Sequence, residues 1–168
     1  MALLRWPAQD KPRLVFAHAN GFCASAYKQV LGRLSARFDI VAMDLRGHGR
    51  SALPADTKTH AGWDIYAEDI AAVCDRLDRP ANLMAGHSMG AAASLMAAAR
   101  MAEPPPLALV EPVVLPAFIY AAYRTPLRPL IRKRIGMGDL ARKRTNGWPD
   151  RQAVAARYRQ RPAFADWA

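Results

Sequence analysis

Through the first two thirds of the chain, short apolar runs alternate with stretches in which apolar residues recur at helical spacing. The runs indicate strands at 14–17, 40–43, 82–85 and 107–110, with a further leading strand at 2–6. The helical patterns lie between them, at 27–38, 63–77 and 88–101. This alternation is typical of a parallel sheet whose strands are joined by crossover helices. We therefore predict a doubly wound, mostly parallel α/β sheet.

Basic residues are concentrated in the last third of the chain. Residues 118–168 hold 12 of the 24 lysines and arginines but only 3 of the 14 acidic residues, so this segment carries +9 of the net charge of +10. It contains arginine clusters at 124–134 and 142–144, and its pattern is helical without a strand signal. The predicted organisation is a sheet core over 1–117 and a basic helical segment over 118–168.

Composition excludes several classes of protein. A chain of 168 residues that is 52% hydrophobic and 23% charged is neither disordered nor fibrous. No apolar run reaches the roughly 20 residues of a membrane span, and the first residues lack a signal-peptide pattern, so a cytoplasmic location is expected. Two cysteines and four scattered histidines fit no disulfide framework or zinc spacing. Cys74 is expected in the core, Cys23 has no neighbour that marks a nucleophile, and no metal or cofactor site is expected.

One pentapeptide has the pattern of a catalytic site. Residues 86–90 read Gly-His-Ser-Met-Gly, the G-x-S-x-G pattern of a nucleophile elbow, with a predicted strand before it and a predicted helix after it. Glycine on either side of the serine avoids collisions of a Cβ with the neighbouring strand and helix. Free N–H groups at the start of the helix favour a developing oxyanion. The pattern predicts a nucleophilic Ser88, and a purely structural serine is the alternative.

Three motifs in this order resemble the α/β-hydrolase fold family. They are the elbow, the His-Ala-Asn-Gly-Phe segment at 18–22, which is similar to the family's HG-type loop, and the D-x-R-G-x-G-x-S turn at 44–51. The likeness covers about residues 12–116 and points to the branch of capped esterases and hydrolases of C–C or C–Cl bonds. Family members that open epoxides or displace halide use a carboxylate nucleophile. A serine instead implies acyl transfer, with esters, thioesters, amides or C–C bonds beside a carbonyl as substrates.

The resemblance also implies roles for individual residues. Ser88 corresponds to the nucleophile, and the backbone N–H of Met89 to one oxyanion donor. The second donor comes from the HG-type loop, where the N–H of Phe22 aligns best. Glu111, at the end of the last predicted strand, stands where some branches place the triad acid; a carboxylate bonded to loop backbone is the alternative. Asp44 is expected to be a turn or cap residue.

The family's base histidine has no counterpart in these residues. It follows the nucleophile in the family's chain order, and no histidine follows Ser88 here. The histidines that are present belong to the elbow, to two turns and to a loop: His87, His18, His48 and His60. We therefore expect the sequence to be the N-terminal part of a hydrolase without its base. Residues 118–168 are then the incomplete start of a helical cap.

Two functions remain open from the sequence. The first is a serine hydrolase that acts on a small-molecule acyl substrate. The second is an inactive hydrolase-fold remnant, or a module that binds anions or nucleic acid through the basic segment. Nucleic acid is disfavoured as a partner because no helix-turn-helix, RNP or zinc signature is present, and no membrane partner is expected. Missing strands would expose a sheet edge through which the chain could self-associate.

Overall fold

A computed structural model describes residues 1–56, 62–114, 116–123, 125–126, 130 and 147–160. The chain divides into two compact units, Met1–Val114 and Leu115–Ala168. His60 and the basic residues of both arginine clusters lie outside the described residues. No helix in the described segments has the length and apolar character needed to cross a membrane.

The first unit follows the predicted alternation of strands and helices. Its strands are β1 (Ala2–Trp6), β2 (Arg13–Ala17), β3 (Asp39–Asp44), β4 (Leu83–His87) and β5 (Leu107–Val110). Its helices are α1 (Lys28–Leu34), which follows a 3-10 turn at Ala24–Tyr27, α2 (Asp64–Cys74) and α3 (Met89–Ala98). In the second unit, the described residues include α4 (Ala117–Tyr123) and α5 (Arg151–Arg159).

The five strands form one mostly parallel sheet in the order β1-β3-β2-β4-β5. Only the pairing of β1 with β3 is antiparallel; β2 pairs in parallel with β3 and β4, and β4 with β5. The predicted fold is therefore confirmed. The chain order reverses direction across β2, and ligands of such sheets bind outside the carboxyl ends of the strands at this kind of switch point. The segments that follow β2, β3, β4 and β5 consequently meet at one edge.

The sheet is covered on both faces. Val15 and Ala17 of β2 belong to one core cluster, which includes residues of α2 and α3. Leu14 and Phe16, which alternate with them, belong to a second cluster with Leu31 of α1. Successive side chains of a strand point to opposite faces, so β2 and β3, buried along their whole lengths, have the near-continuous apolar sequence expected of central parallel strands.

The helices are shorter than the predicted ranges. The helical pattern of 27–38 becomes the 3-10 turn and α1, and α1 ends at Leu34. The chain then turns, because the N–H groups of Arg37 and Phe38 both donate to the Leu34 carbonyl. Phe38 still packs against the core from this turn. The apolar spacing of the sequence therefore extends beyond the end of α1, because residues of the turn that follows also bury their side chains.

Ion pairs tie together the amino-terminal edge of the sheet. The buried Asp39 carboxylate accepts hydrogen bonds from the Ala8 N–H (3.0 Å) and from Nε of Arg13 (2.7 Å), and it also pairs with Arg79. Burial raises the pKa of Asp39, but these hydrogen bonds outweigh burial and hold the pKa below its ordinary value. This cluster lies at the end of the sheet opposite to the G-x-S-x-G turn.

Candidate active site

Ser88 lies at a sharp turn between a strand and a helix. It follows β4 directly and is the N-cap of α3, with φ 53° and ψ −114°. Its side chain makes no capping hydrogen bond to the helix. Its N–H donates to the carbonyl of Val110 in the neighbouring strand, at 2.9 Å. The predicted strand-to-helix turn is confirmed, and its backbone conformation is one that non-glycine residues rarely adopt.

The two glycines of the elbow are required by close packing. A Cβ on Gly86 would lie 2.5 Å from the carbonyl carbon of Gly90, in the first turn of α3. A Cβ on Gly90 would lie 2.5 Å from the carbonyl oxygen of His18, the residue that follows β2. The helix therefore starts in contact with both its own strand and the central strand, which brings its N-terminal N–H groups to the sheet edge.

The loop that follows β2 lies beside the elbow. Phe22 is 46% exposed, and its ring centroid is 6.4 Å from that of His87, the residue before Ser88. The Phe22 N–H donates to the Ala19 carbonyl at 3.1 Å and closes a tight turn. Met89, in contrast, is buried as the first residue of α3. The convergence of the Phe22 and Met89 N–H groups on the Ser88 hydroxyl stays a prediction.

Two of the histidines are held in turns. His18 is fully buried; its Nδ1 donates to the Ala19 carbonyl (2.8 Å), so its Nε2 accepts from the Leu45 N–H (3.0 Å). Burial lowers the pKa of His18, so the ring remains neutral with both nitrogens in use. The His48 nitrogens contact the Arg46 carbonyl (2.9 Å) and the Asn20 side chain (3.2 Å). These positions agree with the turn roles that the sequence predicts.

His87 contacts two residues that come from different elements. Its Nδ1 is 2.7 Å from the Tyr27 hydroxyl, and its Nε2 is 3.8 Å from Oε2 of Glu111. Glu111 follows β5, has a positive φ of 45°, and has a side chain that is 85% exposed. The predicted candidate acid is therefore at the same sheet edge as the elbow, beside the residue that precedes Ser88.

Asp44 organises the turn after β3. Its carboxylate accepts from the N–H groups of Ala24 (2.7 Å) and Arg50 (2.8 Å), so it connects the loop after β2 to the D-x-R-G-x-G-x-S turn. Gly49, with φ 54°, packs against this carboxylate so closely that a Cβ would collide with it. Asp44 thus has the turn and cap role predicted from the sequence.

Sequence reasoning missed two contacts of the site. Arg46 forms a two-pronged ion pair with Asp69 of α2, with N–O distances of 2.6 and 2.7 Å, which holds the turn after β3 against that helix. The sequence pattern places Tyr27 only on an apolar helical face, yet its hydroxyl joins the loop after β2 to the elbow. Motif reading could not find either contact, since both partners are distant in sequence.

The described residues contain no group of three His, Cys, Asp or Glu side chains placed to hold a metal ion. A cavity of about 420 Å³ lies between the ends of α2 and α3, where its lining includes Cys74, Met84 and Met101. Met84 is near the amino end of β4, whereas Ser88 follows the carboxyl end. At about 3.3 Å per strand residue, the two lie roughly 13 Å apart, so the cavity is separate from the elbow.

Comparison with known proteins identifies relatives of this arrangement. A sequence model of the Alpha/beta hydrolase family matches residues 14–168. The chain is 37% identical over 89 residues to the 2-(acetamidomethylene)succinate hydrolase of Mesorhizobium japonicum. This match covers 53% of this chain and 31% of that protein. It is 36% identical over 88 residues to a bifunctional esterase/perhydrolase of Acinetobacter calcoaceticus, with coverages of 51% and 30%.

A solved structure extends the likeness to nearly the whole chain. The crystal structure of a hypothetical protein from Pseudomonas aeruginosa PAO1 matches with a TM-score of 0.67 and 25% identity, and the match covers 94% of this chain and 55% of that one. The chain therefore spans less than a third of the length of the two curated relatives and little more than half of that solved structure.

Proposed function

The chain belongs to the alpha/beta hydrolase family and is a hydrolase at the level of that family, and on this premise we propose that it cleaves acyl bonds with Ser88 as the nucleophile. The substrates are small molecules with an ester, a thioester or a related acyl bond. The names of the two relatives given above, a 2-(acetamidomethylene)succinate hydrolase and a bifunctional esterase/perhydrolase, agree with this class. The activity proposed is that of the whole protein.

One observation carries the proposal: the strained conformation of Ser88 at the N-terminus of α3. With φ 53° and no capping hydrogen bond, the residue does not behave as an ordinary helix cap, which would bond a side-chain oxygen to the first turn. Backbone strain of this kind costs about 1–3 kcal/mol and persists where the surrounding structure enforces it. Here the enforcing contacts are the close approach of Gly86 to Gly90 and the bond from Ser88 to Val110.

The proposed oxyanion hole uses backbone donors. The N–H of Met89 is in the first turn of α3, where helical N–H groups have no partner within the helix. The N–H of Phe22 is the second donor in the proposal. Its turn bond to Ala19 is 3.1 Å long, so this N–H would be shared with the oxyanion or transferred to it. Preorganised donors of this kind are worth about 10²–10³ in rate each.

The proposed reaction has two steps. The Ser88 oxygen bonds to the acyl carbon while its proton passes to a general base, and the alcohol, thiol or amine leaves with a proton. Water then attacks the acyl-serine, the carboxylic acid is released, and Ser88 regains its proton. Ser88 needs a base because its hydroxyl is protonated at neutral pH.

We assign that base to a histidine outside these 168 residues. No histidine follows Ser88 in the sequence. Both ring nitrogens of His18 are engaged, and Nδ1 of His87 is bonded to Tyr27.

Glu111 remains the proposed candidate for the acid. Residues 118–168 are proposed to belong to a basic helical cap, and the open edge of β5 to permit self-association.

The test uses the full-length protein that carries this sequence. Wild type, Ser88→Ala and Ser35→Ala are treated with a fluorophosphonate probe and assayed with p-nitrophenyl esters. Ser35 is a matched control because its hydroxyl is exposed and bonds only locally, to the Gly32 carbonyl. We expect labelling at Ser88 in wild type and in Ser35→Ala, and loss of both labelling and turnover in Ser88→Ala.

Two results would contradict the proposal. Equal turnover by wild type and Ser88→Ala would exclude Ser88 as the nucleophile. A folded wild-type protein that neither takes the probe nor turns over esters would favour the inactive remnant, the alternative left open by the sequence.

A further inference from the structure

We propose that the Tyr27 hydroxyl is a positioning group that fixes the loop at 19–22 to the nucleophile elbow through His87. The inference rests on the proposed function, because the loop supplies the Phe22 N–H and the elbow supplies Ser88. Tyr27 itself touches neither the nucleophile nor the oxyanion in this scheme. It acts through Ala19 on one side and through His87 on the other.

The direction of each hydrogen bond follows from the chemistry of the donors. The Ala19 N–H can only donate, so the Tyr27 oxygen accepts it, at 3.1 Å. The single hydroxyl proton of Tyr27 is then directed to Nδ1 of His87, at 2.7 Å. A neutral His87 must therefore carry its own proton on Nε2, the nitrogen that lies 3.8 Å from the Glu111 carboxylate. The Tyr27 hydroxyl thus accepts a hydrogen bond from the loop at 19–22 and donates one to His87 at the elbow.

The tie between Tyr27 and the loop runs through one residue, Ala19, whose carbonyl also accepts the bond from Nδ1 of His18. The Ala19 N–H is bonded to Tyr27, while the Ala19 carbonyl accepts the bond from the Phe22 N–H. Moving Ala19 would therefore move Phe22 as well. On the other side, His87 is joined covalently to Ser88. The hydroxyl of Tyr27 therefore connects the turn that carries the proposed oxyanion donor to the residue that precedes the proposed nucleophile.

Aromatic packing holds the Tyr27 ring in this place. Its centroid is 4.8 Å from that of Phe16 in the second core cluster, and 5.9 Å from those of both Phe22 and His87. Burial raises the pKa of the Tyr27 hydroxyl, so the group stays protonated at neutral pH and remains a donor to His87. The ring is anchored in the sheet core, and its hydroxyl reaches the two loops.

The consequence for catalysis is specific. A donor misplaced by about 1 Å can reduce a rate by about 10². A misplaced donor stabilises the transition state less and leaves substrate binding unchanged, because the oxyanion exists only in the transition state. We expect Tyr27→Phe, which keeps the ring and removes the hydroxyl, to lower kcat by about ten- to a hundredfold and to change KM by less than about threefold.

The experiment compares Tyr27→Phe, His87→Asn and His87→Leu with wild type in the full-length protein. Ser35→Ala is again the control, since it removes one hydroxyl hydrogen bond from the same part of the chain. The amide oxygen of asparagine can replace Nδ1 as an acceptor for Tyr27, whereas leucine cannot. We expect His87→Asn to retain much more activity than His87→Leu, and Ser35→Ala to match wild type.

Two further readouts do not depend on catalysis. Amide hydrogen exchange of Ala19 is expected to accelerate in Tyr27→Phe at least tenfold, because its acceptor is gone. The 15N shifts of His87 are expected to show an unprotonated Nδ1 in wild type. A proton on Nδ1, or unchanged Ala19 exchange in Tyr27→Phe, would overturn the proposed tie.

The outcomes separate this inference from the proposed function. If Ser88→Ala abolishes turnover while Tyr27→Phe leaves kcat unchanged, Ser88 stands as the nucleophile and the positioning role of Tyr27 is wrong. If Ser88→Ala keeps full turnover, the proposed function is wrong, and the catalytic role of Tyr27 fails with it. Loss of kcat in Tyr27→Phe, with KM retained and Ala19 exchange accelerated, supports both.

Discussion

The N–H of Ser88 donates a hydrogen bond to the carbonyl of Val110 at 2.9 Å. Through this bond, the end of β5 supports the turn that follows β4. The residue after Val110 is Glu111, and Ser88 and Glu111 are the two non-glycine residues with positive φ in the described part of the chain. One strained residue, Ser88, therefore donates this hydrogen bond, and the other, Glu111, directly follows the residue that accepts it. Both lie at the carboxyl ends of the strands. Strain concentrated in this way is typical of functional sites.

We expect Glu111→Gly to be more stable than Glu111→Ala by about 0.5–1 kcal/mol in the free energy of unfolding. The left-handed backbone costs a non-glycine residue about 1–2 kcal/mol, which exceeds the roughly 0.5–1 kcal/mol that glycine loses to alanine elsewhere. Urea unfolding at pH 7 measures the difference. Glu103, exposed and without a positive φ, is the control, and alanine should be the more stable variant there. The same order at both positions would contradict strain at Glu111.

Asp39 gives a prediction for the pH dependence of stability. Hydrogen bonds from Ala8, Arg13 and Arg79 outweigh burial and hold the pKa of Asp39 below its ordinary value of 3.8. A lowered carboxyl pKa stabilises the fold above the ordinary value, and this contribution is lost as the pH falls through the lower, folded-state pKa. We expect Asp39→Asn to be less stable than wild type by about 3 kcal/mol at pH 7. The substitution removes the buried one of the two carboxylates that pair with the buried Arg13, Asp39 and Asp78.

Urea unfolding of wild type and Asp39→Asn at several pH values measures this dependence. The difference between the two proteins should persist from pH 7 to pH 5 and shrink as the pH falls below about 4. Asp10→Asn is the control, because Asp10 is exposed in the turn between β1 and β2. A difference that stays constant down to pH 3 would show that the Asp39 carboxylate charge contributes nothing to the effect.

Much of the fold could be predicted from the sequence because apolar periodicity reports burial directly. The run at 107–110 became β5 with the same limits, and the leading strand at 2–6 became β1. Helix ends were less predictable. Leu77 continues the apolar spacing of α2, but it lies in a turn after Cys74 and packs against the core from there. Periodicity shows which side chains are buried, and it does not show where helical hydrogen bonding ends.

The candidate site was predictable only as far as local motifs extend. The elbow at Ser88 and the cap role of Asp44 depend on short segments whose backbone geometry restricts their residues. The bond between Tyr27 and His87 spans 60 positions and exists because β2 and β4 are neighbours in the sheet. The ion pair of Arg46 with Asp69 likewise requires the packing of α2. Such contacts follow from strand order, which periodicity alone does not specify.

Cys74 is expected to react slowly with thiol reagents at neutral pH. Burial against the core raises the pKa of its thiol to about 11, so at pH 8 only about one molecule in a thousand carries the reactive thiolate. Iodoacetamide labelling of Cys23→Ser, followed by mass spectrometry, isolates Cys74, and Cys74→Ser isolates Cys23. We expect the labelling rate of Cys74 to rise about tenfold per pH unit from pH 8 to 10. Rapid, pH-independent labelling of Cys74 would contradict the raised pKa of this partly buried thiol.

Gly90→Ala is expected to destabilise the fold by about 2–3 kcal/mol and to abolish turnover. The added Cβ would lie 2.5 Å from the carbonyl oxygen of His18, which directly follows the fully buried strand β2, and it would also collide with the carbonyl oxygen of Ala17, the last residue of that strand. Because α3 starts at this contact, the helix must shift away from β2 and carry Ser88 with it. Overpacking of this kind costs about 1–3 kcal/mol, and more where backbone is involved.

Gly32→Ala is the matched control for this substitution. Gly32 lies within α1, and the nearest atom to its added Cβ is Nε1 of Trp6, at 4.0 Å, which is an ordinary contact. Alanine inside a helix is favoured over glycine by about 0.5–1 kcal/mol, so Gly32→Ala should raise the free energy of unfolding and leave turnover unchanged. Thermal and urea unfolding of both variants, with ester turnover, measure the contrast. If Gly90→Ala kept wild-type stability and turnover, the elbow would not depend on the close approach of α3 to β2.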